Sequence, residues 1–146
     1  MRSSHAMSAA ASVSFIANSA RHSLNIWEVF THGVSRLICQ TTLGAGDSYG
    51  NLNFFWKHIM FGMLLRPAMA DHNLQEDYIR SSDIDWTIVR PAAFTDGTLS
   101  RKYQHGFSGK SPKGLALKIS RADVAHFMLE QLKSNTYLRQ TPGLSY

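Results

Sequence analysis

With one cysteine in 146 residues, Cys39, the chain can form no intramolecular disulfide. That cysteine sits in an apolar run, as a small buried hydrophobe would, and a reducing, cytoplasmic setting is expected. No stretch approaches the roughly 18 consecutive apolar residues that cross a bilayer. The best candidate, FFWKHIMFGMLL over 54–65, is shorter and carries Lys57 and His58. No His-Glu-x-x-His or Cys-x-x-Cys spacing occurs, so a metal centre has no ligand set and none is expected. Acidic residues are missing from two places, the first 27 residues and the span Gly97 to Ala122. The second span holds Arg101, Lys102, Lys110, Lys113, Lys118 and Arg121, six cations against a net charge of +5 for the whole chain. The basic character therefore belongs to one segment. It is either a solvated loop or a surface for an anionic ligand.

What is present fits one domain, with 44% hydrophobic and 17% charged residues. Residues 1–17 read as a leader without regular structure, Ser/Ala-rich and faintly like a signal or transit segment. From about Asn18 to His32 the apolar spacing of Leu24, Trp27 and Phe30 is helical, and Gly33 stands where a helix stops. RLICQ (36–40) is a short apolar run suited to a strand buried on both faces. A glycine-rich loop, TTLGAGDSYG, follows it. A largely helical region from about Asn53 to Ser82 is interrupted at Pro67. WTIVRP (86–91) is a second buried strand, and LALKI (115–119) reads as another. SRADVAHFMLEQL (120–132) is a helix capped by Ser120, with Val124, Phe127, Met128 and Leu132 on one face. The terminal TPGLSY adds a possible last strand.

Alternating helices and strands of this kind predict an α/β fold, a parallel sheet with helices on both faces. Ligands of such sheets collect at the carboxyl ends of the strands, where the loops after Gln40 and Arg90 fall.

Four segments taken together, GVSRLICQTTLGAGDS, DWTIVRPAAFTDG, ISRADVAHFMLEQL and TPGLSY, resemble an atypical short-chain dehydrogenase/reductase. The similarity covers roughly residues 18–146 and is to the NAD(P)H-binding group with NmrA-like proteins and biliverdin reductase B-like flavin reductases. It implies a partial Rossmann-like parallel sheet, strands five onward of a doubly wound fold, flanked by helices. It also implies NAD or NADP as cofactor and hydride transfer to a flavin, quinone or carbonyl acceptor. The family's phosphate-binding turn, Gly-x-x-Gly-x-x-Gly after its first strand, has no counterpart here. The glycines of GAGDSYG follow the strand that resembles the family's fifth.

By the same resemblance, Thr41 and Thr42 stand where a hydroxyl residue meets the cofactor or the substrate carbonyl, Thr41 on the cofactor and Thr42 in catalysis. As plain strand-end threonines they would instead satisfy local backbone groups. Pro91, Ala92, Ala93 and Phe94 would pack against the nicotinamide, unless they form a simple strand-ending turn. No Tyr-x-x-x-Lys pair occurs, and counting back from Arg90-Pro91 puts the lysine position on His72 and the tyrosine position on Ala68. His72 is a candidate proton donor, or else a surface histidine in a charged helix beside Asp71 and Glu76.

Without the first four strands, the edge of the Leu37–Gln40 strand would be bare. Self-association through that edge or the long helices is then expected, and dinucleotide binding should be weak or absent. The expected partner is a small-molecule substrate, planar and anionic, with no membrane; nucleic-acid binding through the basic loop with Tyr103 and Phe107 is a third alternative, with no recognised nucleic-acid-binding motif beside it. A non-catalytic NmrA-like redox-sensing or protein-binding module is the alternative function.

Overall fold

The computed structural model describes residues 12–14, 34–45, 66–108 and 112–146. The expected helix over 18–32, the glycines at 46 and 50, and the 53–65 part of the long helical region lie outside the described residues.

Among the described residues, seven strands and two helices follow in order: β1 (Ser12–Ser14), β2 (Arg36–Gln40), α1 (Arg66–Arg80), β3 (Asp85–Pro91), β4 (Ala93–Thr95), β5 (Gln104–Phe107), β6 (Lys118–Ser120), α2 (Arg121–Leu132) and β7 (Gly143–Ser145). The main sheet has the order β1-β2-β3-β7-β5. Its first three pairings are parallel, and β5 runs antiparallel along β7. A second, two-stranded parallel sheet joins β4 to β6. This is the α/β architecture with a mostly parallel sheet that the alternation of elements predicts.

The core follows from the strand period of two. Leu37, Cys39, Trp86 and Ile88 point to one face and cluster with Ile79 of α1. Ile38, Val89 and Leu144 point to the other and cluster with Ile119 and with Val124, Phe127 and Met128 of α2. A strand with both faces covered has no polar alternation, which is why RLICQ and WTIVRP read as continuous apolar runs.

Several expectations are corrected here. The edge of β2 is not bare: β1 pairs with it over Leu37 to Cys39. In a doubly wound order of 3-2-1-4-5-6, the neighbour of the fifth strand away from the sixth is the fourth. Among the described residues the sheet thus includes one strand before β2, within the stretch expected to lack regular structure. Pro67, the expected interruption of the long helical region, lies in the first turn of α1, where its missing N–H is not needed; the part of that region before Arg66 is outside the described residues. The strand expected at 115–119 is confined to Lys118–Ser120, because Leu117 adopts a left-handed φ of 51° that breaks the extended run. Two strands, β4 just before the basic segment and β5 within it, had no legible apolar pattern and are mostly exposed.

Candidate functional site

The two loops singled out from sequence meet at the carboxyl ends of β2 and β3. Beyond Gln40 the parallel ladder continues: Thr41 N donates to Val89 O at 2.9 Å and Leu43 N to Pro91 O at 2.8 Å. Gly44 then takes a φ of 108°, a conformation that side-chain-bearing residues adopt only with strain, and turns the chain away. On the neighbouring strand, Pro91 and Ala92 are buried, and the Ala92 N–H is taken by Leu144 O at 2.9 Å. Ala93 and Phe94 are exposed. The result is a short rim of small side chains ending in one accessible aromatic ring.

Beneath the rim lies a buried charge cluster. Arg90, at the end of β3, donates from Nε to Glu76 Oε1 at 3.0 Å and from Nη2 to Glu76 Oε2 at 2.6 Å. Thr41 donates its hydroxyl to Glu76 Oε1 at 2.7 Å, and Arg80 reaches Oε2 at 3.4 Å. Arg90, Glu76 and Thr41 are all 2% exposed or less. Taking two ions out of water costs several kcal/mol each unless geometry and added hydrogen bonds compensate. The bidentate fork and the threonine donor supply that compensation. Glu76 is therefore not part of a solvated helix face, as the sequence reading of α1 had it. The legible signal was Arg90 itself, since a guanidinium inside an apolar strand requires a buried acceptor.

The candidate residues separate accordingly. Thr41 spends its hydroxyl on Glu76, so it reaches a ligand only through the loop it anchors. Thr42 is half-buried, and its hydroxyl has only a long 3.4 Å contact to Leu43 O, so it is the hydroxyl of the pair that a ligand could engage. His72 stands one helical turn before Glu76 and is half-buried. Burial pulls its imidazole below the ordinary value, against the opposing pull of the Gln75 hydrogen bond and the Glu76 and Asp71 charges, so it is neutral at pH 7. Gln75 also donates to Cys39 Sγ at 3.3 Å. Burial pushes the Cys39 thiol up to about 12, with Glu76 adding to the rise, and excludes it as a nucleophile. Ala68, the tyrosine position, lies in the first turn of α1 and has no proton to give.

Past the rim, the Arg121 guanidinium lies 5.4 Å from the centre of the Phe94 ring and pairs with the Asp96 carboxylate. Part of the basic segment is thereby brought against the candidate site. Among the described residues, no three His, Cys, Asp or Glu side chains converge as metal ligands, and no helix is long and apolar enough to cross a membrane.

The residues present fit the nicotinamide end of a dinucleotide, since the partly exposed Phe94 ring, beyond the buried Pro91 and Ala92, offers an apolar surface to a flat ring. The sequence holds no Gly-x-x-Gly-x-x-Gly turn for the pyrophosphate end.

Comparisons with known proteins bear on the family and the fold. ChuY from Escherichia coli CFT073 is 29% identical with a TM-score of 0.71, over 85% of this chain and 63% of that one. ChuY from Escherichia coli O157:H7, an anaerobilin reductase, is 27% identical with a TM-score of 0.76, over 92% and 62%. A short-chain dehydrogenase/reductase from Veillonella parvula, solved with NADP, shares the fold at 16% identity and a TM-score of 0.67, over 83% and 55%. A protein of Streptococcus pneumoniae, provisionally assigned as an NADH-flavin reductase, shares it at 18% and 0.68, over 92% and 70%. The chain thus spans less than two thirds of the length of the two ChuY proteins. No curated protein sequence matches it. A family model described as NAD(P)H-binding matches residues 5–135, nearly the whole sequence. The strand-end loops, the parallel sheet and this match lead to one conclusion: the chain belongs to the NAD(P)H-binding family.

Proposed function

We propose that this chain supplies the acceptor side of an NAD(P)H-dependent reductase, whose substrate is a planar conjugated compound such as a flavin, a quinone or anaerobilin. The observation that supports it most is the joining of the Thr41–Ala45 and Pro91–Phe94 loops across neighbouring parallel strand ends, the place where doubly wound sheets take their ligands. In this reading Pro91, Ala92, Ala93 and Phe94 flank the nicotinamide, and Thr41 holds the facing loop in place. Thr42 offers its hydroxyl to the acceptor, and neutral His72 lines the helix side. NAD(P)H, when held there, would supply a hydride, which is two electrons and one hydrogen nucleus. The matching proton comes from solvent, because Ala68 replaces the usual acid. The exposed Arg121 beside Phe94, in a segment rich in cations, favours an anionic substituent on the acceptor.

Because the glycine turn is missing from the sequence, the 146-residue chain by itself should bind NADPH with a Kd above about 1 mM, a binding free energy weaker than about −4.1 kcal/mol. Calorimetry that returns a micromolar constant overturns this part. The activity is tested with a chimaera carrying, ahead of Met1, a segment with the family's Gly-x-x-Gly-x-x-Gly turn. It should oxidise NADPH when FMN, a quinone or anaerobilin is added, and Thr42→Val should slow it. NADPH binding without oxidation by any acceptor favours the NmrA-like sensing function instead.

A further inference from the structure

Asp123 lies in the first turn of α2 and is fully buried. A first-turn aspartate normally needs only the helix dipole and water. This one accepts five hydrogen bonds from three separate segments. Its Oδ1 takes the backbone N–H of Ser100 at 3.0 Å and of Arg101 at 2.7 Å. Its Oδ2 takes the hydroxyls of Ser100 at 2.7 Å, Ser120 at 3.0 Å and Tyr146 at 2.6 Å. Lys102 N–H extends the set by donating to Ser100 Oγ at 3.1 Å.

Two features show that the turn is shaped around this carboxylate. Arg101 adopts a φ of 58°, a left-handed conformation that a residue with a Cβ holds only when its surroundings demand it. Successive N–H groups in such a turn form a concave anion site, and here the anion is an internal one. The location follows from the strand register. Ser120 is paired with Thr95 and Lys118 with Ala93, while Tyr146 follows β7 two residues after Leu144, whose carbonyl takes the Ala92 N–H. The clamp therefore sits just past the carboxyl ends of β4, β6 and β7, beside the Pro91–Phe94 rim.

We propose that Asp123 is a positioning residue of the acceptor site: its buried carboxylate clamps the Ser100–Lys102 turn and so fixes where the exposed cations Arg101 and Lys102 stand relative to Phe94. The inference rests on the reductase reading for its ligand, an anionic group on a planar acceptor, but not for the clamp itself.

The test compares Ser100→Ala with Tyr146→Phe in the 146-residue chain. Each removes one hydroxyl donor from Asp123, but only the first belongs to the turn. Ser100→Ala should speed amide exchange at Arg101 and Lys102 by about tenfold, as expected for one lost hydrogen bond to a charged group, while Ile88 and Val89 keep their protection. It should also lower the ratio of FMN to riboflavin affinity, read by flavin fluorescence quenching, because only FMN carries the phosphate. Tyr146→Phe should lower thermal stability while leaving both readouts unchanged. Asp123→Asn, where it folds, should exceed Ser100→Ala in both. Unchanged exchange at Arg101 and Lys102 in Ser100→Ala overturns the clamp. Faster exchange with an unchanged FMN-to-riboflavin ratio overturns the positioning role. A chain that binds neither flavin counts against the reductase reading, and the clamp then stands or falls on the exchange rates alone.

Discussion

Glu76 and Asp123 are two carboxylates placed where water does not reach, and each is held by donors from distant parts of the chain. Removing one partner of a buried pair costs more than the pair contributes, because the remaining charge keeps its desolvation penalty. Glu76→Ala takes from the buried Arg90 its bidentate acceptor and from the Thr41 hydroxyl its acceptor. We expect a loss of about 3–5 kcal/mol, seen as a lowered urea midpoint. Glu76→Gln should lose less, since it keeps one acceptor oxygen. Asp123 gives a dependence on pH. Burial by itself would raise its carboxyl, but the hydrogen bonds from Tyr146, Ser100, the Arg101 amide and Ser120 outweigh burial and hold it well below the usual carboxylate range. A depressed folded value means that its contribution is complete above the unfolded value of about 3.9. It is lost as pH falls from there through the lower folded titration. Denaturation curves of the protein and of Asp123→Asn should therefore differ most near neutrality and draw together below about pH 4.

At the scale of elements, β7 shows how closely neighbouring strands constrain one another. It lies between β3 and β5, and a Cβ on Gly143 would enter the Phe107 ring and come within 2.8 Å of the Phe107 carbonyl. Backbone cannot yield there without disturbing the β5–β7 pairing. Gly143→Ala should cost about 1–3 kcal/mol, measured by thermal melting, as overpacking does in a filled core. The elements also differ in how legible they were. β2, β3 and α2 were readable because their patterns are local: a continuous apolar run, a β-branched run ended by proline, and a Ser120 cap whose hydroxyl accepts from Asp123 N at 3.0 Å. β4 and β5 were not, because exposed strands carry no apolar signature and exist only through their partners. The boundary of β6 was missed because a left-handed Leu117 has no sequence signal of the kind glycine gives.

For the whole molecule, β1 is the border strand of the sheet among the described residues. In the doubly wound order it corresponds to the fourth strand, whose other neighbour is the first. A parallel strand with an open outer edge is a template for pairing with another chain. We therefore expect the 146-residue chain to associate in solution, with a light-scattering mass that rises with concentration. Proline substitution at Val13 should reduce this, since it removes a donor from β1. A constant monomer mass at high concentration would count against the open edge.

Residue order by itself determined the α/β class, the two buried strands, the capped helix and the two strand-end loops, since each depends on periodicity or capping within about ten residues. It also pointed to the family, because the four motifs occur in the right order. Only the tertiary structure decided which way the chemistry faces. It turned the Thr41 hydroxyl inward to Glu76, 35 residues away, and left Thr42 as the accessible one. It also closed the Ser100–Lys102 turn on Asp123, about 23 residues on. Burial of a charge depends on what the rest of the chain brings around it, and no local pattern carries that information.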